Sequence, residues 1–259
     1  MKQLAAATNE IFILPPTPHD PYPPLPLELD DEYIFSPHLE PQPSGVTSLI
    51  TGFNVNVSIF LSYDPLEAVD LATGFGALSD TEQQKKTLHQ CLHQCKTILD
   101  TLPSELVVIP GRTQSGSPVK PIEPTSASSI YMQDPALLNS SAQESHTEDR
   151  RKVQYEIQKA NIYASHLGTR SYIVEKYWNM FAAANKRAQG TETDHRRSSG
   201  SAEANSRQLE ASNHELTEEE ICAERDSIVK DLLLVLGSIS QVSMEPNADS
   251  LVSIIISHF

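Results

Sequence analysis

The chain has 259 residues, 39% of them hydrophobic and 6% aromatic, with a formal net charge of -15 and a pI near 4.9. That is enough apolar material for one sizeable core or two small ones. The excess of acid excludes a broad grip on a phosphate backbone, which needs a basic face.

No window approaches the roughly 18–20 consecutive apolar residues of a membrane span. The N-terminal MKQLAAATNEIFILPP lacks the charged-then-apolar order of a secretory signal. Three cysteines, Cys91, Cys95 and Cys222, do not suggest a disulfide framework. A soluble intracellular chain is expected, and the glycosylation-type triplets at Asn56 and Asn139 are read as chance matches.

Residues 1–45 read as a Pro-rich, acidic strap. Its PPTPHDPYPPLP has polyproline character and suits either of two uses: wrapping along a helical surface, the preferred reading, or serving as a ligand for an SH3- or WW-type domain. The acids Asp30, Asp31 and Glu32 follow in consecutive positions, where neither a metal site nor an acid–base pair has a pocket to work in. A solvated or helix-capping role is expected for them, with Tyr33, Ile34 and Phe35 anchoring the strap to apolar surface.

Residues 46–110 read as helical. VTSLITGFNVNVSIFLSYDPLEAVDLATGFGAL sets Leu49, Phe53, Val57, Phe60 and Leu61 on one face, with Pro65 kinking or interrupting the helix. The β-branched FNVNVSIF also admits a strand. Next, Ser79 with Glu82 has the capping-box spacing and Pro103 closes the segment. The stripe between them, Leu88, Cys91/Leu92, Cys95, Ile98/Leu99 and Leu102, is of the kind that packs on a partner helix.

Residues 111–147 are rich in Ser, Pro, Gly and Thr without a period, the composition of a flexible insert. A long helix is expected over 148–187, with Val153, Ile157, Ala160, Ala164, Leu167, Ser171, Val174, Trp178 and Phe181 in steps of four and three, and Gly168 as its weak point. Residues 188–216 read as a disordered insert, in which Arg196–Ser199 resembles a kinase site.

Residues 217–259 then supply C-terminal helices. The first is opened by the Thr217/Glu220 capping box and carries Ile221, Ile228/Val229, Leu232/Leu233, Val235/Leu236 and Ile239 on its apolar face. The last starts with Asn247 as cap. The fold class is all-α: an irregular array of about five to seven helices with two disordered inserts, 46–259 forming one incomplete domain.

The strongest candidate for chemistry is HQCLHQC. On a helix, His89 and His93 share one face while Cys91 and Cys95 share another, so the four cannot converge on one tetrahedral ion. Buried cysteines with histidines at the solvent edge are expected instead. There is no Gly-rich phosphate loop, GxSxG elbow or HExxH. No catalytic, cofactor-binding, metal-ligating or DNA-binding residue is assigned, no cofactor is expected, and the chain is read as no enzyme.

Five segments in order, PLPLELDDEYI with SGVTSLITGFNVNVSIF, QCKTILDTLPSELVV, YEIQKANIYASHLGTRSYIVEKYW and ERDSIVKDLLLVLGSISQVSMEPNADSLVSII, resemble the C-terminal half of the regulatory domain, or middle homology region, of fungal zinc-cluster transcription factors. The resemblance spans roughly residues 21–110, 150–182 and 220–256. It implies an all-helical regulatory or effector region in the nucleus, working through protein contacts, by autoinhibition or small-molecule sensing. The strap would then bridge two helical layers.

The family's six-cysteine, two-zinc DNA-binding module has no counterpart among three scattered cysteines, so the resemblance implies no direct nucleic-acid contact by this chain and no zinc held by it. It also implies a truncated relative that starts inside the family's domain. Faces such as Phe53/Phe60 and Trp178/Phe181 should then be incompletely buried and associate with another chain, a homodimer included. The alternative is a helical scaffold or adaptor unrelated to transcription that docks through the 148–187 helix.

Overall fold

The computed structural model describes residues 21–35, 41–74, 81–110, 140–195 and 217–258. In chain order the helices are α1 (Asp31–Ile34), α2 (Leu49–Leu61), α3 (Asp64–Gly74), α4 (Thr81–Ile98), α5 (Ser140–His195), α6 (Glu218–Ser238), α7 (Gln241–Met244) and α8 (Ala248–His258), with 3-10 turns at Leu99–Thr101, Ser104–Leu106 and Glu245–Asn247. There is no strand among the described residues, so FNVNVSIF is helical and the fold is all-α.

The organising element is α5. It contains no proline, and its residues from Ala160 to Tyr177 are buried on every side of the helix, Ala160, Ile162, Leu167, Ile173 and Tyr177 among them. Small residues such as Ala160, Ala164 and Ser171 let neighbours approach closely. Helices α2, α4, α6 and α8 all pack on it, so α5 is a central pillar inside a ring of shorter helices.

Apolar burial of roughly 1.5–3 kcal/mol per large side chain drives this arrangement. α4 contributes Leu88, Cys91, Leu92 and Cys95, as its stripe predicts, and α6 contributes Ile221, Ile228, Leu232 and Val235. The Thr217/Glu220 capping box is formed, Thr217 Oγ1 accepting from Glu220 N–H at 3.2 Å.

Several expectations are corrected. α5 begins at Ser140 and ends at His195, reaching into both segments read as inserts; Val153, expected on its buried stripe, is 51% exposed. Of the two outcomes expected at Pro65, the helix is interrupted and not kinked: the chain turns at Ser62 and Tyr63, and Pro65 sits in the first turn of α3, where its missing N–H costs nothing. The Ser79 cap lies outside the described residues. α8 does start directly after Asn247, as expected; Asn247 closes the preceding 3-10 turn and donates its side-chain amide to Asn161 Oδ1 at 2.8 Å.

The predicted face of α2 holds only in part, Leu49 and Phe60 packing against the core. Thr51, Gly52, Asn54 and Ile59 are buried, whereas Phe53 is 54% exposed. Because α2 is apolar nearly all round, its periodicity does not select a face; polar partners do. Thr51 Oγ1 donates to Glu28 at 2.8 Å and Asn54 Nδ2 to the Pro26 carbonyl at 3.0 Å, binding the strap. Gly52 admits Gln158 of α5, whose amide donates to the Leu49 carbonyl at 2.5 Å; a Cβ on residue 52 would fall on the Gln158 side chain.

Two stability measurements test this account. At Gly168, where an added Cβ meets nothing within 4 Å, Gly168→Ala is expected to raise unfolding free energy by about 0.5–1 kcal/mol, read from the urea midpoint. A lower midpoint would mean that the site is more crowded than described. Asp30→Ala, which removes the acceptor at the base of the strap, is expected to cost about 2–3 kcal/mol and to speed proteolysis before residue 41. An unchanged cleavage rate would show that the strap is held otherwise.

Candidate interaction surface

Among the described acids of the strap only Asp30 is buried, and it acts as a clasp. Its carboxylate accepts from Ser48 Oγ at 3.0 Å, from the Leu49 N–H at 2.7 Å and from Gln42 Nε2 at 3.0 Å, and it pairs with Arg151. Burial raises its pKa, but these donors outweigh it and hold the carboxyl below the usual carboxylate range. Asp30 thus caps α2 together with Ser48, while Asp31 and Glu32 stay exposed. Arg151 also donates to the Thr47 carbonyl, at 3.2 Å, and to Tyr155 Oη, at 3.0 Å. Ile34 and Phe35 do not anchor the strap as expected, being 45% and 82% exposed; polar groups do that work.

A second polar cluster, unseen in the sequence reading, lies deep between α4, α5 and α6. Arg170, 4% exposed, donates through Nε to Glu224 at 3.0 Å and through Nη1 to Asp231 at 2.6 Å, with Ser227 Oγ at 3.3 Å. Lys96 of α4 reaches the other oxygen of Glu224 at 2.6 Å. Burial raises the Glu224 carboxyl, yet the Lys96 hydrogen bond and the Arg170 charge keep it below its usual value. Removing Glu224 would strand the buried Arg170 charge, at about 3–5 kcal/mol.

One turn before Arg170 lies His166, and its Nε2 has no hydrogen-bond partner among the described residues. Burial, then the charge of Arg170, push its pKa down to about 3.

The HQCLHQC residues are placed as their spacing implies. Cys91 and Cys95 are buried in the core, burial pushing their thiols up to about 11 and about 12, while His89 is half-buried and His93 exposed. Among the described residues no group of three or more His, Cys, Asp or Glu side chains is arranged to hold a metal ion. No described helix is long and apolar enough to cross a membrane.

A cleft of about 150 Å³ opens where the Ser104–Leu106 turn and the segment after it meet α5 and the end of α6. Its one ammonium, Lys159, is already paired with Glu156 at 2.7 Å. The space is well below the roughly 300–1,000 Å³ usual for small-molecule sites.

What the fold leaves open is an apolar surface at its C-terminal end. On α6, Leu233 and Leu236 are 65% and 44% exposed; on α8, Val252, Ile255 and Ile256 are 52%, 39% and 74% exposed; Val242 between them is 78% exposed. The two helices touch, and no charged residue occurs in 232–244 or 250–257. Of the faces expected to be incompletely covered, Phe53 is exposed, while Phe60, Trp178 and Phe181 are partly buried against the core. Large exposed apolar side chains gathered on neighbouring helices suit a contact site.

Comparison of the chain with protein-family models, with curated proteins and with solved structures finds no match.

The buried histidine generates a pH prediction. The unfolded imidazole takes a proton near 6.5 and the folded one only near 3, so between these values the unfolded state holds more protons and stability falls with acid. Asp30 and Glu224 add a further loss as pH falls below the carboxylate range. The urea midpoint is expected to drop from pH 7 to pH 5, and His166→Gln to flatten that slope. An equally steep slope in the variant would place the acid sensitivity elsewhere.

Proposed function

We propose that this chain is a regulatory or effector region of a fungal transcription factor, acting in the nucleus through protein contacts, without catalysis and without touching nucleic acid itself. The observation that carries the reading is the uncharged apolar surface of α6, Val242 and α8, left open on a chain of net charge -15. The ordered resemblance of five segments to the regulatory domain of zinc-cluster factors supports the same reading, as does an all-α architecture.

The scaffold alternative docks partners through the 148–187 helix. Between Ala160 and Tyr177 that helix is enclosed by its own neighbours, so its middle is not open to a partner. Protein contacts are therefore assigned to α6 and α8, with a second copy of the chain or another regulator as occupant.

Fusing the chain to an unrelated DNA-binding domain and reading a reporter tests the proposal. A change in transcription is expected, and Leu233→Asp/Ile256→Asp is expected to abolish it with helical circular dichroism intact. A reporter unmoved by the wild-type fusion would favour the adaptor reading, and one that responds equally to the variant would move the contact site.

A further inference from the structure

The strap was expected to wrap along a helical surface, and its described prolines do not. Pro21, Pro23, Pro24 and Pro26 are all exposed, and Leu27 is 72% exposed. Every residue from Pro21 to Pro26 is either a proline or precedes one, so φ is fixed or the α region is disfavoured at each position. Such a run is held in the polyproline II region, which has three residues per turn.

Two positions on one edge of that period are tethered to the protein. Tyr22, Leu25 and Glu28 recur at intervals of three. Tyr22 is half-buried, Leu25 is less exposed than Leu27, and Glu28 accepts from Thr51 Oγ1 at 2.8 Å and Asn54 Nδ2 at 3.3 Å. This edge faces the protein. The other two edges, Pro21/Pro24/Leu27 and Pro23/Pro26, face outward.

From this we infer that Pro21–Leu27 is a displayed polyproline strand that docks into the aromatic groove of a WW-type domain with a basic rim. Proline rings offer rigid apolar ridges to aromatic side chains, and a strand already extended and tied down at Glu28 and Asp30 loses little conformational freedom on binding. The charge around it selects the reader. No lysine or arginine occurs between Lys2 and Lys85, while Asp31 and Glu32 are exposed just beyond the prolines. A groove that needs a cation beside the prolines, as SH3 domains commonly do, would find only acids; a basic rim is complementary.

The test titrates the whole purified chain against immobilised WW domains and, separately, SH3 domains. Saturable binding to WW domains is expected, weakening as salt rises and at least tenfold weaker in Pro23→Ala/Pro24→Ala with helical circular dichroism unchanged. Should that variant lose helix, Leu27→Ala replaces it, with the same loss expected. Absence of WW binding, binding to SH3 domains alone, or full affinity in a folded variant would overturn the inference. Leu233→Asp/Ile256→Asp is expected to retain WW binding, so this inference and the C-terminal contact surface stand or fall separately.

Discussion

A helix that is covered on all sides has nowhere to send a charge, and that constraint governs this fold. Arg170 lies in the fully enclosed part of α5, so its guanidinium must be matched inside the protein, and the match comes from Glu224 and Asp231 on α6 with Lys96 of α4 completing the set. Apolar packing alone would let α6 slide or rotate along the pillar at small cost. The planar fork of Arg170, with acids seven residues apart on α6, accepts one register only. The ion set therefore fixes which face of α6 turns inward, and so leaves Leu233 and Leu236 outside.

The N-terminal half obeys a related rule with different groups. α2 could bury either side, because neither is polar enough to be excluded. Its orientation follows from hydrogen bonds: Asp30 at its N-terminus, Glu28 and the Pro26 carbonyl along Thr51 and Asn54, and Gln158 against Gly52. Apolar residues supply the bulk of the stabilisation at both ends of the molecule, and a few polar contacts decide which apolar surface is hidden. The surface that remains open is thus a consequence of polar specificity.

This division explains what was legible in the sequence. Element type was: the 3.6-residue period of α4, α6 and the middle of α5 names them as helices, and the Thr217/Glu220 box marks the start of one to the residue. The ends of α5 were not, since 140–147 and 188–195 are polar in sequence and a polar run carries no apolar period. The face of α2 was illegible for the opposite reason, its apolar residues being spread nearly all round it. The pairing of Asp30 with Arg151, 121 positions apart, has no local signature at all. Glu224 and Asp231, seven apart on an otherwise apolar face, were the nearest thing to a signal for the Arg170 set.

The enclosure of α5 also bears on how the chain is made. α2 and α4 leave the ribosome before the pillar they pack on, and the Asp30–Arg151 closure waits for more than a hundred further residues. During that interval the inner sides of Leu88, Leu92 and Ile59 have no lasting cover. Nascent-chain chaperones would find their binding sites there, and a slowed codon stretch ahead of α5 would lengthen the exposure.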